Sequence, residues 1–596
     1  MKNIILLLLL CVTTNSISQI YFSPNANMYV KNEVLFVNQN VNLDTGSNLY
    51  LRSDGQLLQG TTSTSANSGE GLVSVYQEGT ADNFDYNYWC SPVGTASSVS
   101  GNGNFGITML QQPQTSVNSN PAVILNPALD GISNPLSISA RWIYKLVNAS
   151  GYSQWALVGS LSSLAPGEGF TMKGTSGTDA TDPEATGIVN NPGSAQRYDF
   201  RGKPNDGNIT INLGANNATL TGNPYPSSLH LNAFLLDPGN TATGGIAYFW
   251  EQDKTVNSHY LADYRGGYGA YSPVSLASSG VYVPATFNSY NPDGSLNTVG
   301  LSSGLSIERK YSPIGQGFII NASANGTATF KNAHREFYRE SNVLSQFEKQ
   351  LTKNNKTEKQ EEVAANEIVE VSHFKLNTII NDQFTRQLAL AFVPEATDGA
   401  DAGIDALHLD TALPNDVTFL IDNNSYIIQG IPFDNTKKVA LQVKAAVSTT
   451  LKFYIPEVIN FDSSQPIFLY DSLDDSYHDI KNDSYQVTVP SGNYSDRFKI
   501  TFRNEKTVVE ENETTPKIRI AHDNKNRILK AYNPANLSIE SFVLYDILGR
   551  RVLSKKDLPI SQEYSFSTAN LNSGIYIAKF ITAEKAEINQ KIILKN

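Results

Sequence analysis

Apolar and polar residues alternate along this chain in runs too short for helices, and each run closes on a turn signal. That pattern constrains the fold more than any single motif does. Glu33-Val34-Leu35-Phe36-Val37, Val41-Asn42-Leu43, Asn48-Leu49-Tyr50-Leu51 and Gln56-Leu57-Leu58-Gln59 are separated by Asp44-Thr45-Gly46 and Ser53-Asp54-Gly55. A period of two sends successive side chains to opposite faces of a strand, and Gly and Asp accept the backbone of a tight turn. Residues 19–81 are therefore expected to form an N-terminal β region, either a meander or one or two solenoid-like turns.

Composition extends this reading to the whole chain. Glycine (42) and tyrosine (29) are plentiful and charged residues make up only 17%, against about a quarter in an average soluble protein. Aromatic and β-branched side chains fill pleated faces, so the expected class is all-β. A chain of 596 residues is too long for one core, so several β-sandwich-like modules are expected. The net charge of −12 speaks against nucleic acid as a partner, because phosphate recognition needs clustered Lys and Arg. Of the two cysteines, Cys11 lies in an apolar leader. Cys90 then has no partner for a disulfide and reads as a small buried residue.

The chain divides by texture. Residues 82–190 and 191–335 read as two related β domains, because each carries an aromatic/Pro turn, an aromatic strand and a G-x-G-F strand entry in the same order. These are Tyr88-Trp89-Cys90-Ser91-Pro92, Trp142 to Tyr144 and Gly167-Glu168-Gly169-Phe170 in the first, with Gly222-Asn223-Pro224-Tyr225, Tyr248-Phe249-Trp250 and Gly315-Gln316-Gly317-Phe318 in the second. The second holds a Gly/Tyr/Ser/Asn-rich insertion from His259 to about Thr298. A charged linker follows (336–369), then a β-sandwich-sized domain (370–505), an acidic linker (506–516) and a last domain (517–596).

Three constellations carry candidate chemistry. Asp398, Asp401 and Asp405 sit on a Gly-bearing loop, with Asp410 beyond. Calcium, the one cofactor the sequence suggests, takes hard oxygen ligands of this kind, although the spacing is not that of an EF-hand and Asp-Gly steps also make ordinary turns. Asp471, Asp474, Asp475 and Asp479 read as a solvated strand end. The four tryptophans, Trp89, Trp142, Trp155 and Trp250, are expected mostly in cores. Trp250 is the first choice for an exposed sugar-binding platform, because it ends an aromatic strand and is followed by Glu251-Gln252-Asp253. The histidines show no zinc spacing, and neither G-x-S-x-G nor a phosphate loop occurs, so no catalytic residue is named.

The two ends of the chain speak about export. Lys2 followed by the apolar run Ile4 to Val12, with Ser16 and Ser18 beyond, reads as a signal peptide (1–18) handled by the Sec machinery; the run is too short to span a bilayer. At the other end stand Leu544-Tyr545-Asp546-Ile547-Leu548-Gly549-Arg550-Arg551-Val552, then Leu571-Asn572-Ser573-Gly574-Ile575-Tyr576, then Lys591-Ile592-Ile593. This set resembles the type A C-terminal sorting domain of the Bacteroidota type IX secretion system, with Gly549, Gly574, Tyr576 and Lys591 on its motif positions. The resemblance implies a compact β-sandwich read by the type IX translocon and sortase, then removed as the protein is joined to anionic lipopolysaccharide. Blocks such as Tyr198-Asp199-Phe200-Arg201-Gly202-Lys203-Pro204 and Phe330-Lys331-Asn332-Ala333-His334-Arg335-Glu336 are also similar to large flavobacterial surface proteins.

Asp410-Thr411-Ala412 and Asp471-Ser472-Leu473 match a short O-glycosylation pattern. The expectation is thus a secreted or surface-displayed, adhesin-like protein that binds an extracellular glycan or another partner. A secreted polysaccharide hydrolase and a structural matrix component stay open as alternatives.

Overall fold

The amino-terminal runs wind into a parallel coil. Strands β1 (Ile20–Phe22), β2 (Asn27–Lys31) and β3 (Val34–Val37) make one turn, and β4 (Val41–Leu43), β5 (Asn48–Arg52) and β6 (Gln56–Gln59) make the next. β1 pairs in parallel with β4, β2 with β5 and β3 with β6, so Ile20 faces Val41 and Asn27 faces Asn48. Val41, Leu43, Leu49, Leu51 and Leu57 fill the inside of the coil. β7 (Leu72–Glu78) continues it in parallel against β5, then pairs antiparallel with Arg197–Pro204. The computed structural model describes residues 19–263, 265–291, 296–302, 307–340, 344–347, 369–409, 413–506 and 518–595. The expected signal peptide, Asp410-Thr411-Ala412 and most of the two expected linkers lie outside them.

Two hairpins follow with the same register. Tyr86–Cys90 pairs antiparallel with Gly169–Lys173, placing Cys90 opposite Gly169. Ala218–Gly222 pairs antiparallel with Gly317–Asn321, placing Gly222 opposite Gly317. Beside them, the Tyr144 amide donates to Thr171 Oγ1, and Tyr248 pairs with Ile319. The hairpins meet where Trp89 bridges to Gln316 and the Cys90 amide donates to the Gly315 carbonyl. A Cβ at Gly222 would stand 2.6 Å from that of Cys90, so glycine is what allows the approach. Cys90 is fully buried, and burial pushes its thiol pKa up, away from reactivity.

A buried polar knot ties the coil to both hairpin regions. Asn332 Nδ2 donates to Asp206 Oδ1 and to the Gly60 carbonyl, each at 2.7 Å. Arg335, 3.6 Å from Asp206, bonds Ser227 and the Leu57 carbonyl. The Lys203-Pro204-Asn205-Asp206 and Asn332 to Arg335 blocks thus act in assembly.

From His373 onward an eleven-stranded, barrel-like sheet curls over the core that holds Phe374, Leu388, Phe419, Leu441, Phe453 and Phe498. Along Thr449–Ile459 the alternation is plain: Leu451, Phe453 and Ile455 are buried while Lys452 and Tyr454 are half-buried. Register shifts near Lys375 and near Leu441 bend the long strands. This sheet belongs to the same compact unit as the coil and hairpins, Met1–Arg503. The joint is a close backbone contact: Gly403 N donates to Gly244 O, while Val274 N and Ser272 Oγ donate to Gly403 O. Gly245 and Gly403 both have positive φ, and a Cβ on Gly245 would fall 2.6 Å from the Gly403 backbone.

The second unit, Asn504–Asn596, is a sandwich. A three-stranded sheet (Arg519–Asp523, Ile528–Tyr532, Glu563–Ser567) and a four-stranded one (Arg551–Lys556, Ile539–Asp546, Gly574–Thr582, Glu587–Leu594) enclose Leu529, Phe542, Leu544, Phe566 and Phe580. The all-β expectation holds throughout: one short α-helix, Leu231–Leu235, occurs among the described residues.

Candidate functional site

Strand alternation sends Trp89 into the core and its neighbours Tyr86 and Tyr88 to the opposite face, where they begin a cleft of about 660 Å³. The cleft spans both hairpins: Tyr86, Tyr88 and Thr171 come from the first, and Ala218, Ile319 and Asn321 from the second. Trp250 and Tyr268, opposite each other on paired strands, add to its floor, and Trp142, Tyr144, Tyr152 and Trp155 come from the connection inside the first hairpin.

The rings form a connected surface. Tyr88 and Trp250 lie nearly parallel, 8° apart with centroids 6.1 Å apart, and Tyr88 meets Trp155 edge-on at 6.0 Å. Trp250 meets Tyr268 at 5.3 Å, and the Tyr88 and Tyr268 hydroxyls are 3.0 Å apart. Trp250 lies flat because its strand neighbour Gly266 has no side chain; a Cβ there would be 2.3 Å from the indole. The indole N–H of Trp250 points to Gln252 Oε1 at 3.4 Å, whereas Glu251 turns away to accept from the Tyr282 hydroxyl.

Polar groups at the cleft are uncharged, namely Ser150, Ser153, Thr171, Asn216 and Asn321, with His259 the single titratable imidazole. No carboxylate, lysine or arginine lines it among the described residues. Charges lie just beneath instead. Lys173 Nζ is 4.3 Å from the Trp142 ring centroid, 4.9 Å from that of Tyr86 and 3.3 Å from His259 Nδ1. His259 Nε2 is 2.8 Å from Asp130 Oδ1. Burial lowers Lys173 to about 8, against the pull of Asp85, Asp130 and Asp82. Burial raises the Asp85 carboxyl to about 7, helped by Asp82 and opposed by Lys254 and Lys173.

Of the residues named from sequence, Trp250 is on the cleft. Trp142 and Trp155 are also there, half-buried, against the expectation of core positions; Trp89 alone is wholly buried. The Asp398–Asp405 loop is elsewhere and its carboxylates already have partners. Asp401 accepts from Thr397 N and Oγ1, Asp405 accepts from the amides of Asp401 and Gly430, and Asp398 pairs with Lys437. No cluster of three metal-ligating side chains occurs among the described residues. The loop carries Gly403, so its visible role is the joint between the barrel-like sheet and the hairpin region. Asp471 is buried and bonded to Arg497 through both oxygens, while Ser472 is exposed.

In the second unit Gly549 has φ +75° in the turn closed by Asp546, and Gly574 opens a strand opposite Leu594. Tyr576 is buried, its hydroxyl donating to the Asn572 carbonyl; Lys591 is exposed, opposite Ile577.

Comparison with known proteins gives two family matches. The model described as Domain of unknown function (DUF8693) matches residues 10–502, and that of the secretion system C-terminal sorting domain matches residues 523–595. No curated protein matches. Among solved structures, the Pseudomonas aeruginosa CupB2 chaperone aligns at 12% identity over 38% of this chain and 87% of its own. Its TM-score of 0.11 carries no argument about fold or function.

Proposed function

The chain belongs to the DUF8693 family of unknown function and is a type IX secretion substrate exported to the surface or beyond, and from that premise we propose that it is a surface-held glycan-binding protein whose binding site is the aromatic cleft. The observation that carries the reading is the lining: a connected floor of aromatic rings among hydroxyl and amide groups, with no charged side chain except what His259 can bear among the described residues. A sugar ring offers an apolar C–H face and a rim of hydroxyls, and such a floor meets both. The absence of charge selects neutral chains, because an anionic polymer would surrender its hydration without a cation to replace it. Hydrolysis of a glycan generally calls for two carboxylates flanking the bond, and none lines the cleft among the described residues. In this reading the Sec machinery and the type IX translocon deliver the chain, the sortase removes its tail and anionic lipopolysaccharide holds the body.

The test is native affinity electrophoresis of the full chain in gels containing hydroxyethyl cellulose, laminarin, galactomannan or polygalacturonate. Retardation by a neutral polymer, lost in Trp250→Ala with the unfolding transition still cooperative, is the expected result. Mobility unchanged in every gel would leave the structural-component reading in its place, and shortening of a polymer would bring back the hydrolase.

A further inference from the structure

The segment 253–263 leaves the strand Ala247–Gln252 and lays His259 and Leu261 against the cleft. Several of its bonds are internal: Thr255 to the Asp253 carboxylate, and Ser258 to Asp263. It is held inward at two points, where Lys254 Nζ donates to the Thr80 carbonyl and at His259. That imidazole stacks on Trp142, 5.3 Å between centroids at 11°, and contacts Phe84 at 4.9 Å. Its two nitrogens are held by Lys173 and Asp130. A lysine ammonium only donates, so Nδ1 must accept, and Nε2 carries the hydrogen that Asp130 receives. The charge on Lys173 therefore selects the tautomer as well as the position of the ring.

We propose that Lys173 is the positioning residue of the cleft: it fixes His259, and through His259 the 253–263 segment, against Trp142, so that one end of the cleft is closed. The groups facing Lys173 are Asp85, Asp130, Asp82, His259 and the rings of Tyr86 and Trp142; Lys254 and Asp253 act on it at one remove through Asp85. The cation–π contacts exist only for the ammonium. Burial outweighs them and lowers Lys173 to about 8, so opening takes up a proton and closure is favoured as pH rises through that value. The inference rests on the proposed binding reading only for its consequence to a ligand; the closure is a property of the protein alone.

The experiment is limited chymotrypsin digestion of the full chain after Tyr260, whose side chain is well exposed at 77%. The cut is identified by mass spectrometry and its rate divided, at each pH, by that of a free peptide of residues 253–265. Cleavage tracks the open population when opening is fast. At about pH 9 roughly nine-tenths of Lys173 is neutral in the closed protein, so protection should rise by up to about tenfold from its value at pH 7. Lys173→Met, which has no donor for His259 Nδ1, should be less protected than wild type at both pH values and independent of pH. Lys173→Arg, which cannot lose its proton, should stay protected at both. Should Lys173→Met fail to fold, His259→Gln carries the same expectation for protection.

Wild-type protection that falls or stays level from pH 7 to pH 9, or protection in the folded uncharged variant equal to wild type, overturns the proposal. This readout contains no ligand, so its failure is separate from that of the glycan reading. Intact pH-dependent cleavage with no retardation in any polysaccharide gel would overturn glycan binding alone.

Discussion

Gly266→Ala tests whether the flat seat of Trp250 is what makes the cleft. The new methyl would stand 2.3 Å and 2.5 Å from two indole carbons and 2.8 Å from the Glu251 carbonyl oxygen. Ordinary carbon contacts lie at about 3.5–4.0 Å, so the ring edge has to retreat by roughly 1 Å. Overpacking of this kind typically costs about 1–3 kcal/mol. Trp250 is only half-buried and has open cleft on one side, so the ring swings rather than the backbone, and the low end of that range is expected. On the proposed glycan reading a tilted indole forfeits its stacking; on the scale of an aromatic pair, about 0.5–1.5 kcal/mol, that is about a two- to thirteenfold loss of affinity. Denaturant unfolding of wild type, Gly266→Ala, Trp250→Ala and the double variant gives the decisive cycle: the cost of the methyl should vanish once the indole is absent. The same cost in both backgrounds would show that the clash is with the Glu251 backbone, and the reasoning about the seat would fail.

Other expectations follow from geometry already given. Because the Asp398, Asp401 and Asp405 carboxylates are bonded within the protein, a chelator should leave the melting temperature of the full chain unchanged; a fall would restore the calcium reading. Asp85 has a folded-state pKa near 7 against 3.8 unfolded, so between those values the folded protein binds more protons and stability falls as pH rises. Wild type should therefore lose stability relative to Asp85→Asn between about pH 4 and 7, by at most about 4 kcal/mol, and a relative gain over that window would refute the assignment. Deleting residues 517–596 should abolish surface display, checked by protease accessibility on whole cells; normal display would contradict the role of the sorting domain.

The all-β class was legible because alternation and turn residues act locally. The parallel pairing of β1 with β4 was only half legible: the strands and turns are in the sequence, but a hairpin meander and a coil use the same turn chemistry. Cys90 stands opposite Gly169 and Gly222 opposite Gly317, pairings that the motif order in the sequence could not specify. Trp250 could be singled out because its strand ends beside polar residues. Tyr88, Trp142 and Trp155 could not, since whether an aromatic is core or surface depends on which strands later cover it. His259 looked like a stray residue in an insertion; its partners Asp130 and Lys173 lie 129 and 86 positions away. The Asp398–Asp405 loop reads two ways for a chemical reason. Metal loops and tight backbone joints both want Asp and Gly, and only the surrounding donors distinguish them.

The pairing of β7 with Arg197–Pro204, and the bond from the Tyr248 hydroxyl to the Leu407 carbonyl, have a consequence for timing. Contacts that distant in sequence close slowly, because the loop entropy is spent before the contacts form. The first unit cannot complete its interior until nearly all of its residues are present. Every strand pair of the second unit falls within Arg519–Leu594, so it can form while the rest is still loose. The second unit is made after the first yet is built to finish before it. Substitutions that slow the body's folding would then leave its export signal intact, and the chain would present that signal before its aromatic cleft exists.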